Sequence, residues 1–183
     1  YLLENSNVVT MHVPLDETTR GMADETFFAL MRPGAIFINA ARGEVIDEQA
    51  LIAAEPKLGA VVIDTWCHEP NINLDLLDVA DIATPHIAGY SLQGKQNATT
   101  MAVQAVARFF GIDALKDFIP HDDDPTHTPV LLDLKGKNHG EIAAVFQYNY
   151  PIFTDDFRLR MEPEKFEKLR GSYQYRRDIY YIE

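Results

Sequence analysis

Apolar residues in the first half of the chain gather in four short runs, at residues 8–13, 35–39, 60–64 and 82–84. Each run is nearly continuous in β-branched or aromatic side chains and lacks the alternation of a strand with one wet face. Runs of this kind fit strands buried on both faces, as in a parallel sheet covered by helices, and they are too short for typical helices. Between them the spacing lengthens. Asp24 is placed to cap a helix carrying Phe27, Phe28, Leu30 and Met31, which Arg32-Pro33-Gly34 ends. Asp47 opens another with Ala50, Leu51 and Ala54, closed by Pro56 and Gly59. Strand and helix in alternation predict right-handed βα units and an α/β fold with a doubly wound parallel sheet.

From Ser91 to Phe110 the apolar positions Met101, Ala105, Val106 and Phe109 recur at helical spacing, and Gly111 is a natural stop. Residues 117–129 read as a linker whose run His121-Asp122-Asp123-Asp124 is a solvated acidic loop rather than a metal site. Beyond it, a strand is expected at 130–134, helices at 141–148 and 163–169, and a closing strand at 176–182. The predicted organisation is a unit at 1–88, a connecting helix at 89–116, the linker at 117–129 and a small α+β module at 130–183. A module of roughly 55 residues struggles to build its own core, so it is expected to dock on another subunit as a dimerisation domain.

Composition narrows the function classes. The 183 residues carry a net charge of −12, which lacks the basic footprint of nucleic-acid binding. No apolar run approaches the length of a membrane span, and the first residues do not read as a signal peptide. One cysteine, Cys67, leaves no internal disulfide framework and fits a reducing cytoplasm. Cys67 and His68 are adjacent and point apart, so no metal is expected there.

Ligands of open α/β sheets bind beyond the carboxyl ends of the strands, which directs attention to the residues after each run. The exits are His12-Val13-Pro14, Asn39-Ala40-Ala41-Arg42-Gly43, Asp64-Thr65-Trp66-Cys67-His68-Glu69-Pro70 and Thr84-Pro85-His86-Ile87-Ala88-Gly89-Tyr90. One rim therefore collects Arg42, Asp64, Glu69 and His86. Taken singly, each has an ordinary structural explanation: His86 as a satisfied histidine, Arg42 as a surface ion pair, Glu69 as a turn residue, Asp64 as a cap. Together they form an acid–base set. A histidine can take a proton from an alcohol, a carboxylate can orient it and favour its charged form, and a guanidinium can grip a carboxylate through two bonds. Oxidation of a 2-hydroxy acid needs those three groups and a cofactor, because no side chain accepts hydride.

The stretches Asn39-Ala-Ala-Arg42-Gly43-Glu-Val-Ile-Asp47, Asp64-Thr-Trp-x-x-Glu69-Pro70 and Thr84-Pro-His86-Ile-Ala-Gly89, in this order, resemble the D-isomer-specific 2-hydroxyacid dehydrogenases. The resemblance implies an NAD-dependent oxidoreductase with catalytic Arg42, Glu69 and His86. Arg42 would bind the substrate carboxylate, and Glu69 would pair with His86, the proton donor or acceptor. Val13, Ala40, Ala41, Arg42, Asp64 and Gly89 would meet NAD, with Asp64 at the nicotinamide end. Residues 1–88 would be the second half of a Rossmann-like NAD-binding domain. The segment Gly89-Tyr90-Ser-Leu-Gln-Gly94-Lys95 and the tail around Arg176-Arg177 are similar to a branch acting on a phosphorylated 2-hydroxy acid. That likeness implies Tyr90 as a substrate contact, a small anionic substrate and a homodimer formed through the C-terminal module. The family's G-x-G-x-x-G loop and its acidic ribose ligand are expected before Tyr1. On that expectation the chain alone binds NADH weakly and turns over negligibly. Another member of the family, such as one acting on 3-phosphoglycerate, and a non-catalytic NAD-sensing or assembly module are the alternative readings.

Overall fold

In the computed structural model, which describes residues 1–182 and the side chains of residues 1–181, the four apolar runs become β1 (Val8–Met11), β2 (Ile36–Asn39), β3 (Ala60–Ile63) and β4 (Ile82–Ala83). They form one parallel sheet in the order β1-β2-β3-β4, with Val8 opposite Ile36, Ile36 opposite Ala60 and Val62 opposite Ile82. Helices α1 (Leu2–Asn5), α2 (Glu25–Leu30), α3 (Glu48–Ala54) and α4 (Leu74–Val79) accompany the strands. Asp24 accepts the Phe27 amide, Asp47 accepts those of Gln49 and Ala50, and Asn73 accepts those of Asp75 and Leu76. These side chains satisfy helix-start amides that have no partner within the helix. The core of the sheet is apolar: Phe28, Phe37, Leu51, Val61, Ile63, Trp66 and Leu76 are each at most 1 % exposed. The strands are not buried on both faces as the runs suggested, since buried Phe37, Val61 and Ile63 alternate with half-buried Ile36, Ile38, Ala60 and Val62. Phe27, Phe28 and Phe37 meet edge to face.

The chain divides into two compact units, Tyr1–Ala88 with Pro151–Ser172, and Gly89–Tyr150 with Tyr173–Glu183. The second piece of the first unit is not where the sequence pattern placed it. Residues 151–172 fold with the parallel sheet, not within a module spanning 130–183, and they carry a helix that the apolar spacing did not announce. That helix is α7 (Ile152–Met161), and α8 (Phe166–Gly171) follows it. Asp156 on α7 accepts the Ala83 amide of β4 at 2.7 Å. Arg160 donates to the carbonyls of Leu77 and Ala80 at the end of α4, both at 2.6 Å. Leu159 and Phe166 enter the core at 0 % and 1 % exposure. The outer edge of β4 is thereby covered by a helix rather than left as an open template for pairing.

The second unit is built on α5 (Leu92–Phe110), capped by Ser91 at its start and by the left-handed Gly111 at its end. It also holds β5 (Val130–Asp133), α6 (His139–Asn149) with an Asn138–Glu141 capping box, and β6 (Ile179–Ile182) parallel to β5. Gln93 ties its loops together, donating to the His127 carbonyl and accepting the Asp178 amide. Among the described residues no helix is long and apolar enough to cross a membrane.

Candidate active site

Because the strands run parallel, their exits share one rim, and neighbouring exits stand about 5 Å apart. The exits of β2 and β3 are drawn together by Asn39, which is 0 % exposed. Its Oδ1 accepts the Ala41 amide, and its Nδ2 donates to the carbonyls of Arg42 and Thr65. Gly43 lies so close to the main chain of Trp66 that a Cβ there would sit 1.9 Å from the Trp66 carbonyl carbon. Glycine is required at that crossing, and its tightness fixes where both exits point.

The exits of β3 and β4 are joined more firmly still. Asp64, buried at the end of β3, accepts three hydrogen bonds from the loop after β4: Thr84 Oγ1 at 2.6 Å, the Ile87 amide at 2.8 Å and the Ala88 amide at 3.0 Å. Burial pushes its carboxyl above the usual carboxylate range, against the pull of those donors and of the His86 charge. The loop it organises is bent sharply. His86 has φ of +56°, in the left-handed region that non-glycine residues seldom occupy, and its amide donates to the Asp64 and Thr84 carbonyls. A backbone held in that region costs about 1–3 kcal/mol and persists where surrounding bonds enforce it. The indole of Trp66 donates to the Thr84 carbonyl at 2.9 Å and closes the corner from within.

This bend turns the His86 ring onto Glu69. Nδ1 stands 2.8 Å from Oε2 and 3.1 Å from Oε1, and both side chains are about one-fifth exposed (19 % and 18 %). Glu69 Oε1 also accepts the Trp66 amide at 2.9 Å, and Arg170 on α8 approaches Oε2 to 3.6 Å. Burial alone would raise the Glu69 carboxyl; the bonds from His86 and Trp66, with the charges of His86 and Arg170, outweigh it and hold the carboxyl below its ordinary value.

The other rim residues are less constrained. Arg42 is exposed at the exit of β2, with one guanidinium N–H on the Ala41 carbonyl at 2.6 Å. Its exit lies two strand spacings, roughly 10 Å, from that of His86. Ala41 is buried, Ala40 and Val13 are half-buried, and Gly89 is exposed with open space where a Cβ would stand. Tyr90 belongs to the second unit with Gly89, and there it packs against Tyr173 and Tyr175 with Lys95 Nζ 4.7 Å from its ring centre. Cys67 donates its amide to Glu48, and burial with the negative charge of Glu48 and Glu44 pushes its thiol up to about 12. Asn39, Thr84 and Arg170 carry no role in the sequence reading. The first two open its motifs, whereas Arg170 had no signal at all.

Residues 1–88 match the family described as D-isomer specific 2-hydroxyacid dehydrogenase, NAD binding domain. An erythronate-4-phosphate dehydrogenase of Bacteroides thetaiotaomicron is 40% identical over 97% of this chain, which spans 50% of that protein. Among solved structures, a D-lactate dehydrogenase from Aquifex aeolicus complexed with NAD and lactic acid is 30% identical with a TM-score of 0.50, covering 61% of this chain and 39% of its own. A D-isomer-specific 2-hydroxyacid dehydrogenase from Polaromonas, described as putative and NAD-binding, is 26% identical with a TM-score of 0.52, covering 64% and 38%. The chain therefore spans about half the length of the curated relatives it matches.

Proposed function

We propose that this chain is part of an NAD-dependent dehydrogenase that oxidises 4-phospho-D-erythronate at C2 to the 2-oxo acid, a step of pyridoxal phosphate biosynthesis. The observation that carries the reading is the Glu69–His86 pair at the sheet rim, with Nδ1 engaged by the carboxylate. That arrangement leaves Nε2 as the ring atom for a substrate hydroxyl, and it places an anion where the imidazolium needs one. His86 takes the C2 hydroxyl proton as the C2–O bond becomes a carbonyl, and Glu69 stabilises the charge gained by the ring. Arg42, with one donor used on its own turn, offers the remaining face of its guanidinium to the substrate carboxylate.

The rim suits a dinucleotide in its donor set. Ala40 and Ala41 put little side chain in the way, and Asp64 Oδ2 accepts only one of the three bonds to its carboxylate, so it has capacity for the amide group of a nicotinamide. NAD, when bound, supplies the hydride acceptor that no side chain provides.

Support for the phosphorylated substrate comes from the relative's name and from the Gly89–Lys95 stretch. The full-length protein is expected to reduce NAD with 4-phospho-D-erythronate in preference to 3-phospho-D-glycerate. Equal or reversed preference in steady-state kcat/KM would assign it to another branch of the family. We also propose a homodimer formed through the C-terminal part, in the cytoplasm. Helix α7 supports this, since its outward face carries Phe153, Phe157 and Met161, each more than half exposed. Light scattering is expected to give twice the chain mass, and Phe157→Asp to lower it.

A further inference from the structure

We infer that Arg170 is a positioning residue of the Glu69–His86 pair, the counterion that keeps Glu69 in place when His86 is without its proton. This rests on the reading of that pair as the proton carrier. The Glu69 carboxylate is held from three directions. Trp66 donates to Oε1 at 2.9 Å, His86 Nδ1 faces both oxygens, and Arg170 Nη1 stands 3.6 Å from Oε2. Among the described residues, the charged groups acting on the pair include Asp64 from β3, which feels the ring across the bent loop, and Arg170 from α8. When the ring is charged, it neutralises Glu69. When the ring gives up its proton, a half-buried carboxylate remains, and Arg170 is the cation left beside it.

The placement of Arg170 is costly unless charge explains it. Its Nε is buried and has no hydrogen-bond partner among the described residues, a condition that weakens a fold. The helix that carries it is nevertheless pinned: Phe166 is buried in the core, Leu169 packs against it, and α7 is bonded to β4 and α4 just before. The guanidinium is thus presented to Glu69 by a rigid support. A proton that reached Glu69 instead of His86 would leave the ring without its orienting anion, and a fixed cation on Oε2 opposes that transfer.

Carbon-13 NMR of the Glu69 carboxyl in the 183-residue chain reads this directly and needs neither cofactor nor turnover. Arg170→Gln and Arg170→Met are expected to move the midpoint of Glu69 protonation upward by ~0.5 on the pH scale, and Arg170→Lys to leave it near the parent value. In the parent chain the midpoint should itself rise in about 1 M salt, because Arg170 is partly exposed and its charge is screened. An unmoved midpoint in folded Arg170→Gln overturns the inference. So does a salt-independent midpoint in the parent chain, which decides the matter even if both neutral variants unfold. Loss or survival of turnover in His86 variants bears on the catalytic reading alone, so the two fail separately.

Discussion

The exits of β3 and β4 and the exits of β1 and β2 open onto the same rim, but their side chains are held in different ways. At β3 and β4, Asp64 is 5% exposed and takes three hydrogen bonds from the loop that bends at His86, and Glu69 is held by Trp66, His86 and Arg170. At β1 and β2, Arg42 and His12 are exposed and each makes one local side-chain hydrogen bond, with the Ala41 carbonyl and the Thr10 hydroxyl, while the main chain of residues 39–43 is fixed by Asn39 and by the close approach at Gly43. In the role proposed for His86 and Glu69, proton transfer needs one geometry and one charge state, and their supports are buried. In the role proposed for Arg42, a group that grips an incoming anion has to be reachable, and its main chain is fixed while its guanidinium stays exposed.

The largest expected break in this contrast is Asp64→Ala. Removing the acceptor of three donors in the bent loop should lower unfolding stability by about 3 kcal/mol, read from denaturant midpoints. Arg42→Lys should leave stability unchanged and lower kcat/KM of the full-length protein about 10–100-fold, because an ammonium cannot reproduce the two-pronged grip. A large stability loss in Arg42→Lys would place that residue with the buried supports and erase the distinction. Asp156→Ala, which frees the Ala83 amide and deprives Arg160 of its carboxylate partner, should cost about 1–2 kcal/mol through the edge of β4.

The smallest effect is a pH dependence with two opposed signs. Glu69 is held below its ordinary value, so its stabilisation is complete above its unfolded pKa and is lost as pH falls through the lower folded one. Asp64 is raised, so its ionisation works against the fold as pH rises from 3.8 through the raised value. Glu69→Gln should therefore leave a chain whose stability grows on acidification through that window. Asp64→Asn should leave one that loses stability there, as measured by denaturation at stepped pH.

The parallel sheet was legible because four β-branched runs recur between capped helices, and Asp24 and Asp47 cap those helices as their spacing implied. The helix α4 was signalled only by Asn73 ahead of Leu74, Leu76 and Leu77, a weak cue that its strand neighbours overshadowed. The helix α7 was hidden for a physical reason. Its side toward the sheet holds Asp156, Leu159 and Arg160, while Phe153, Phe157 and Met161 face outward, the reverse of an ordinary amphipathic pattern. At the site, the strand exits located Glu69 and His86, but spacing could not say that they touch; strand adjacency does. The approach of Arg170 depends on how a distant helix packs, and nothing local in the sequence marks it.

The proposed proton transfer turns on which nitrogen of His86 faces Glu69, since that decides which one remains for a substrate proton. Long-range nitrogen-15 NMR of the neutral ring should find the proton on Nδ1, directed at Glu69, with Nε2 bare, and Glu69→Ala should dissolve that preference. A neutral ring protonated on Nε2, unaffected by Glu69→Ala, would contradict it.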